Sequence, residues 1–270
     1  MLSDEHSKYL YGQELLYCGL ARYMQAEIIA NFVGPITYDE FRANVNKAQY
    51  IYPEMVHPDD ESSKFFCAQN KCTSFIYDQY NYKNIVSVKK DDVCLDIGAC
   101  LGDSALNFLE KQASKVYSFE IDHLSIKCMQ ETFGKLNVQN KIEIVNSGVF
   151  SNNGSCWYTP AHLGGGKITQ EPINNNSYQV PIVKLDDWCA RTNCKPDFIK
   201  MDIEGAEIDA LKGAESVIKN YKPKLAISIY HTWEHRYQIP LLLKEYLPDA
   251  KFYLKKSNPG GEVVIFASTR

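Results

Sequence analysis

The apolar positions of this chain change rhythm along its length. From Ser7 to Phe32 the residues Leu16, Leu20, Met24 and Ile28 recur every four positions, which is one face of a helix ended by Gly34 and Pro35. Thr37 and Glu40 form a T-x-x-E capping box that predicts a second, short helix through about Val45, followed by a loop punctuated by Pro53 and Pro58. From about Val86 onward, short apolar runs alternate with longer amphipathic segments, the pattern of a parallel sheet with crossover helices. Strands are predicted at Val93–Ile97, Val116–Glu120, Ile142–Asn146, Phe198–Asp202, Leu225–Tyr230, Phe252–Leu254 and Val263–Ala267. Helices fit between them at Ser104–Gln112, Leu124–Phe133, Ala206–Asn220 and Ile239–Tyr246. Only Lys255 to Glu262 separate the last two strands, too few residues for a helical crossover, so these form an antiparallel hairpin.

The expected fold is therefore α/β, a doubly wound, mostly parallel sheet of seven strands that ends in an antiparallel hairpin. Residues 1–75 read as a helical appendage that packs on the main domain, dimerises or covers a substrate cleft, and residues 76–270 as the main domain. Within it, 151–178 is a polar insertion with glycines at 164–166 and asparagines at 174–176, read as a mobile loop over the site.

Composition narrows the function classes. With 45% hydrophobic and 23% charged residues the 270-residue chain has ample material for a globular core. A net charge of -4 offers no field for a polyanion, so nucleic acid is not an expected partner. The apolar stretch from Leu15 to Phe32 is interrupted by Arg22, Gln25 and Glu27, which argues against a membrane span. Asp4, Glu5 and His6 stand where a signal peptide would carry basic and apolar residues, so a cytoplasmic location is expected. The 9 scattered cysteines then read as reduced thiols. Cys67 with Cys72 and Cys189 with Cys194 could bring four thiolates to zinc, but the long spacing and the lack of Gly-rich knuckles favour small buried thiols.

The strongest chemical signal runs from Val93 to Ser104: a buried strand ending in Asp96, a turn with Gly98 and Gly102, then a helix start. Such glycines let backbone approach a ligand, and ligands of doubly wound sheets sit beyond the carboxyl ends of the strands. Glu120 ends the next strand, where a ribose diol would lie. A dinucleotide fingerprint would need a third glycine at 100, which is Cys, and Asp103 places negative charge where a pyrophosphate would sit. Asp96 and Asp103 suit a cationic ligand bearing an amino group, so S-adenosyl-L-methionine fits better than NAD.

The runs D-I-G-A-C-L-G-D-S-A-L at 96–106, S-F-E-I-D at 118–122, F-I-K-M-D-I-E-G-A-E at 198–207, L-K-G-A at 211–214 and I-S-I-Y-H at 227–231 together resemble the FkbM family of S-adenosylmethionine-dependent methyltransferases. The resemblance spans about residues 76 to 267 and implies a Rossmann-like, class I fold and methyl transfer to a hydroxyl of a sugar, glycan or glycosylated metabolite. It also implies that Gly98, Ala99 and Gly102 line the methionine end, that Glu120 holds the ribose, and that Asn146, Ser147 and Gly148 border the adenine. Asp96, Asp103, Ser104, Ile121, Asp202 and Tyr80 complete the expected cofactor contacts.

Methyl transfer to an alcohol needs an oxygen in line with the sulfonium and a group to take its proton. Asp202 ends the fourth strand, Glu204 and Glu207 follow on the turn into a helix, and His231 follows the fifth strand, so Asp202, Glu204 and His231 are the catalytic candidates, with His231 as the expected base. The two glutamates would equally favour a helix N-terminus. His231 and His235 could share a helical face as metal ligands and Asp186-Asp187 could bind magnesium, yet a divalent metal is not expected. Tyr77, Tyr80, Tyr82, Trp157 and Tyr158 could stack on a sugar or belong to the core. The expected partner is a small-molecule or glycan acceptor, with a homodimer through the N-terminal helices as a further expectation. Alternatives are a methyltransferase acting on another small molecule or on nitrogen, an NAD-dependent oxidoreductase, and a non-catalytic cofactor-binding module.

Overall fold

The computed structural model describes residues 2–11, 36–161, 165–259 and 262–270. Residues 5–11 are helical, and the rest of the helix expected up to Phe32 lies outside the described residues. Thr37 caps α1 (Tyr38–Ala48) by accepting from the Glu40 amide at 3.2 Å, as the capping box requires, and Asp60 caps α2 (Glu61–Lys71) in the same way at the Ser63 amide. A π-helical turn, Cys72–Ile76, continues α2. These segments share a small apolar cluster around Phe41, Val45, Ala48, Ala68 and Cys72.

The main domain runs β1 (Val93–Ile97), α3 (Asp103–Glu110), β2 (Lys115–Glu120), α4 (His123–Leu136), β3 (Ile142–Asn146), β4 (Gly148–Phe150), β5 (Gly154–Pro160), β6 (Gly166–Thr169), β7 (Tyr178–Lys184), α5 (Leu185–Thr192), β8 (Phe198–Met201), α6 (Glu207–Lys212), α7 (Glu215–Tyr221), β9 (Lys224–Ser228), α8 (His235–Tyr246), β10 (Lys251–Lys256) and β11 (Val263–Ser268). Seven of the strands form one sheet in the order β10-β11-β9-β8-β1-β2-β3, in which only β11 runs antiparallel to its neighbours. The interior strands β8, β9 and β11 are buried throughout, which explains their mostly apolar composition. Residues of the amino-terminal segment cover the β10 edge: the Ser3 amide donates to the Phe252 carbonyl, and the Leu254 amide donates to the Ser7 hydroxyl at 2.8 Å.

Two expectations change. The segment read as a mobile loop over 151–178 contains two strands: β5 and β6 pair antiparallel and join β4 and β7 in a second sheet of order β4-β7-β5-β6. Cys156, Tyr158, Val180 and Ile182 form its buried face, so alternate side chains supply a core that its Gly- and Asn-rich average composition conceals. The single helix expected over 206–220 is two, α6 and α7, broken at Gly213, where a Cβ would lie 1.9 Å from the Phe150 carbonyl oxygen. Asp186 accepts from the Ser216 and Val217 amides at the start of α7.

Candidate active site

A cleft of about 570 Å³ opens at the carboxyl ends of β1, β2 and β8. Its floor carries Gly98, Ala99, Cys100, Asp103, Ser104, Glu120, Ile121, Ser147 and Gly148, all expected there except Cys100. The second sheet supplies Tyr158, Lys167 and Ile168 to its wall, and the amino-terminal half supplies Phe66, Asn70, Ser74 and Tyr80. Tyr77, Tyr82 and Trp157 are not among the lining residues, so of the five aromatics only Tyr80 and Tyr158 face the cleft.

The β1 turn is tightly specified. Gly98 (φ +81°) and Gly102 (φ +84°) occupy left-handed backbone, and so does Cys100 (φ 50°). The glycines are required by the protein itself rather than by ligand space: a Cβ on Gly98 would lie 1.8 Å from the Asp202 carbonyl oxygen, and one on Gly102 would lie 2.6 Å from the Phe133 ring. Gly102 does not line the cleft.

Glu120 is held as a carboxylate acceptor. Its Oε2 accepts from the Cys100 amide at 2.8 Å, and its Oε1 accepts from the Ile121 and Asp122 amides at 2.7 and 2.9 Å. Burial raises its pKa while these three amides work in the opposite direction. The loop after β1 and the end of β2 are thus tied through one side chain.

Asp96 is placed behind the cleft. It is fully buried, accepts from the Ser104 hydroxyl at 2.7 Å and pairs with Lys200 at 3.0 Å. Lys200, which the sequence reading did not single out, faces the cleft, donates to the Gly98 carbonyl and lies 5.3 Å from the Tyr80 ring centre. Its ammonium is desolvated, but the Asp96 and Asp202 charges raise its pKa overall, keeping it cationic. Asn146 ends β3 on an exposed position outside the cleft.

The acid side of the cleft is assembled from distant residues. Asp202 follows β8 directly, and its carboxylate accepts from the Tyr80 hydroxyl at 2.9 Å and the Tyr230 hydroxyl at 3.1 Å. Glu204, Asp103 and Glu262 face the same space. Burial pushes Glu262 up to about 8, reinforced by the Asp202 charge and partly offset by His231. Neither Tyr230 nor Glu262 was anticipated, because Glu262 reaches the cleft only through the β10–β11 hairpin.

His231 lies behind Asp202 rather than among the cleft-lining residues, its side chain 7% exposed. Its Nε2 is 3.3 Å from Asp202 Oδ1, and its Nδ1 is 2.8 Å from Glu207 Oε1. Burial disfavours its charge, yet the contact with Glu207 and the charges of Asp202, Glu207 and Glu204 raise it to about 9. At neutral pH it is a cation, contrary to the neutral base expected from its isolated pKa. His235 begins α8 while His231 stands in the bend before it, so the two share no helical face and converge instead on Glu207. The two C-x4-C pairs lie in different core clusters, and among the described residues no cysteine joins a metal-ligand group.

The sheet and the cleft at its carboxyl edge define an α/β fold of the methyltransferase type. A crystal structure of methyltransferase FkbM from Methylobacillus flagellatus KT is similar to it with a TM-score of 0.56 and 21% identity, covering 85% of this chain and 60% of that one. The methyltransferase FkbM domain matches residues 96–256, and the chain belongs to that family. A 2-O-methyltransferase, NoeI, of Sinorhizobium fredii (strain NBRC 101917 / NGR234) is 29% identical over 158 residues, which are 51% of this chain and 64% of that protein's length. Among the described residues no helix is long and apolar enough to cross a membrane.

Proposed function

We propose that this chain is a class I, S-adenosylmethionine-dependent O-methyltransferase acting on a hydroxyl of a sugar, glycan or glycosylated metabolite. The observation that carries the reading is the charge and shape of the cleft: Asp103, Asp202 and Glu204 line it together with Lys200 and the Glu262 carboxyl, beside a Glu120 carboxylate fixed by three backbone amides. That arrangement matches a cationic nucleoside, whose ribose hydroxyls would donate to Glu120 while its sulfonium and ammonium lie among the acids. The strand order, with only the β11 strand reversed, supports the class I assignment, and the relative named as a 2-O-methyltransferase supports oxygen as the acceptor atom.

When bound, S-adenosylmethionine supplies an electrophilic methyl group. Asp202, Glu204 and His231 are assigned the acceptor end. The Tyr80 and Tyr230 hydroxyls hold the Asp202 carboxylate, which leaves lone pairs to orient the acceptor hydroxyl. Glu204, whose side chain is 52% exposed, is the accessible carboxylate for its proton. Cationic His231 acts as a positioning residue by fixing Asp202 from behind. The walls from the second sheet and from residues 66–80 form the acceptor side.

Calorimetric titration with S-adenosylmethionine and S-adenosylhomocysteine tests the cofactor reading, and release of S-adenosylhomocysteine with a panel of sugars, sugar nucleotides and glycans tests the acceptor. Micromolar binding of both nucleosides and turnover with a hydroxyl acceptor are expected. Failure to bind either nucleoside, or methylation at nitrogen alone, overturns the proposal.

A further inference from the structure

Glu207, His231 and His235 come together from two separate connections. Glu207 is the first residue of α6, while His231 and His235 flank the bend that opens α8. One ligand atom from each residue lies within 4.8 Å of the other two. Glu207 Oε1 is 2.8 Å from His231 Nδ1, Glu207 Oε2 is 3.2 Å from His235 Nδ1, and the three side chains are 0%, 7% and 5% exposed. Glu207 Oε2, both Nδ1 atoms and His231 Nε2 are buried without a properly directed hydrogen bond. Such atoms are costly unless something satisfies them.

We propose that Glu207, His231 and His235 form a binding site for one divalent cation of the zinc type. Two imidazoles and one carboxylate are a donor set suited to zinc and its first-row neighbours. Metal–ligand bonds of about 2.0 to 2.2 Å set adjacent donor atoms roughly 3 to 3.5 Å apart, near the separations found here. The surrounding groups fit the same reading. His231 Nε2 lies 3.3 Å from Asp202 Oδ1, and a cation bound at Nδ1 would displace the proton that makes His231 cationic in the metal-free chain, while the Ile203 amide donates to Glu207 Oε1 at 2.9 Å and orients it.

The site is one layer behind the cleft. A cation there would tie the β8–α6 turn, which carries Asp202 and Glu204, to the β9–α8 connection, which carries Tyr230 and Thr232. Its role is to position the acid side of the cleft. The inference rests on this cluster alone and is independent of the methyl acceptor and of S-adenosylmethionine.

The test is titration of the tag-free, EDTA-treated full chain with Co²⁺ and then Zn²⁺. One equivalent of Co²⁺ should give visible d–d absorption, Zn²⁺ should displace it, and Zn²⁺ should raise the thermal midpoint. Outer-shell changes alone typically weaken such sites about 10- to 100-fold, so removing a ligand in His235→Ala or Glu207→Gln should cost at least about 100-fold in affinity. Wild-type protein with no one-equivalent binding and no thermal response overturns the proposal and leaves the triad as an ion-pair cluster. Binding that persists unchanged in both variants places the metal elsewhere and overturns it equally. If a variant does not fold, the wild-type titration still decides.

Discussion

Replacing Lys200 by Met removes the cation paired with Asp96 and leaves the volume of the side chain nearly intact. Asp96 is fully buried, and its remaining partner is the Ser104 hydroxyl at 2.7 Å. Breaking a buried pair by removing one partner leaves an uncompensated buried charge, so Lys200→Met should lose about 3 to 5 kcal/mol at neutral pH. Since domains are stable by about 5 to 15 kcal/mol, the variant should fold but unfold at much lower denaturant. Urea titration, followed by fluorescence and by circular dichroism, measures the difference. Adding Asp96→Asn should restore more than half of the loss, because no buried charge then lacks a partner. A deficit below about 1 kcal/mol, or additive losses in the double variant, would refute this reasoning.

Other substitutions probe the rest of the site. Gly98→Ala should destabilise the chain by at least about 3 kcal/mol, combining left-handed backbone with a Cβ 1.8 Å from the Asp202 carbonyl oxygen; an unfolding curve like that of the wild type would sink the close-approach argument. Glu120→Ala should weaken S-adenosylmethionine binding about ten- to hundredfold, or roughly 1.5 to 3 kcal/mol, and calorimetry showing normal affinity would remove Glu120 from the ribose. Glu262 has a folded pKa of about 8, above its ordinary 4.5, so the stability it contributes is complete below pH 4.5 and is lost as pH rises through 8. Between pH 5 and 8 the wild type should therefore lose roughly 2 to 4 kcal/mol more than Glu262→Gln, and parallel urea midpoints in the two proteins would contradict the assignment. A cationic nucleoside entering the cleft should also draw a proton off Glu262 near pH 7.5, visible as buffer-dependent binding heat that Glu262→Gln abolishes.

What the sequence determined by itself is what local patterning encodes. The apolar runs located all seven strands of the large sheet within about two residues, because strands covered on both faces are mostly apolar along their length. The capping box fixed the start of α1 for the same local reason, a Thr37 hydroxyl bonding an amide three residues on. The glycine turn after β1 and Glu120 at the end of β2 were also legible, since connectivity sends both to the same edge of the sheet.

The tertiary structure decided everything that depends on which residues meet across the chain. Gly98 is a glycine because the turn after β8 brings the Asp202 carbonyl against it, a close approach that appears nowhere in the local pattern. Asp96 and Lys200, 104 positions apart by their numbers, are a buried pair because β1 and β8 are neighbours in the sheet, with Asp96 opposite Lys200 in register. The second sheet was hidden because its alternation is diluted by glycine and asparagine, and its buried face exists only once β7 pairs with β5. His231 offered an unperturbed imidazole in sequence; Glu207, Asp202 and Glu204 surround it only in the fold, and their negative charge turns it from a base into a cation.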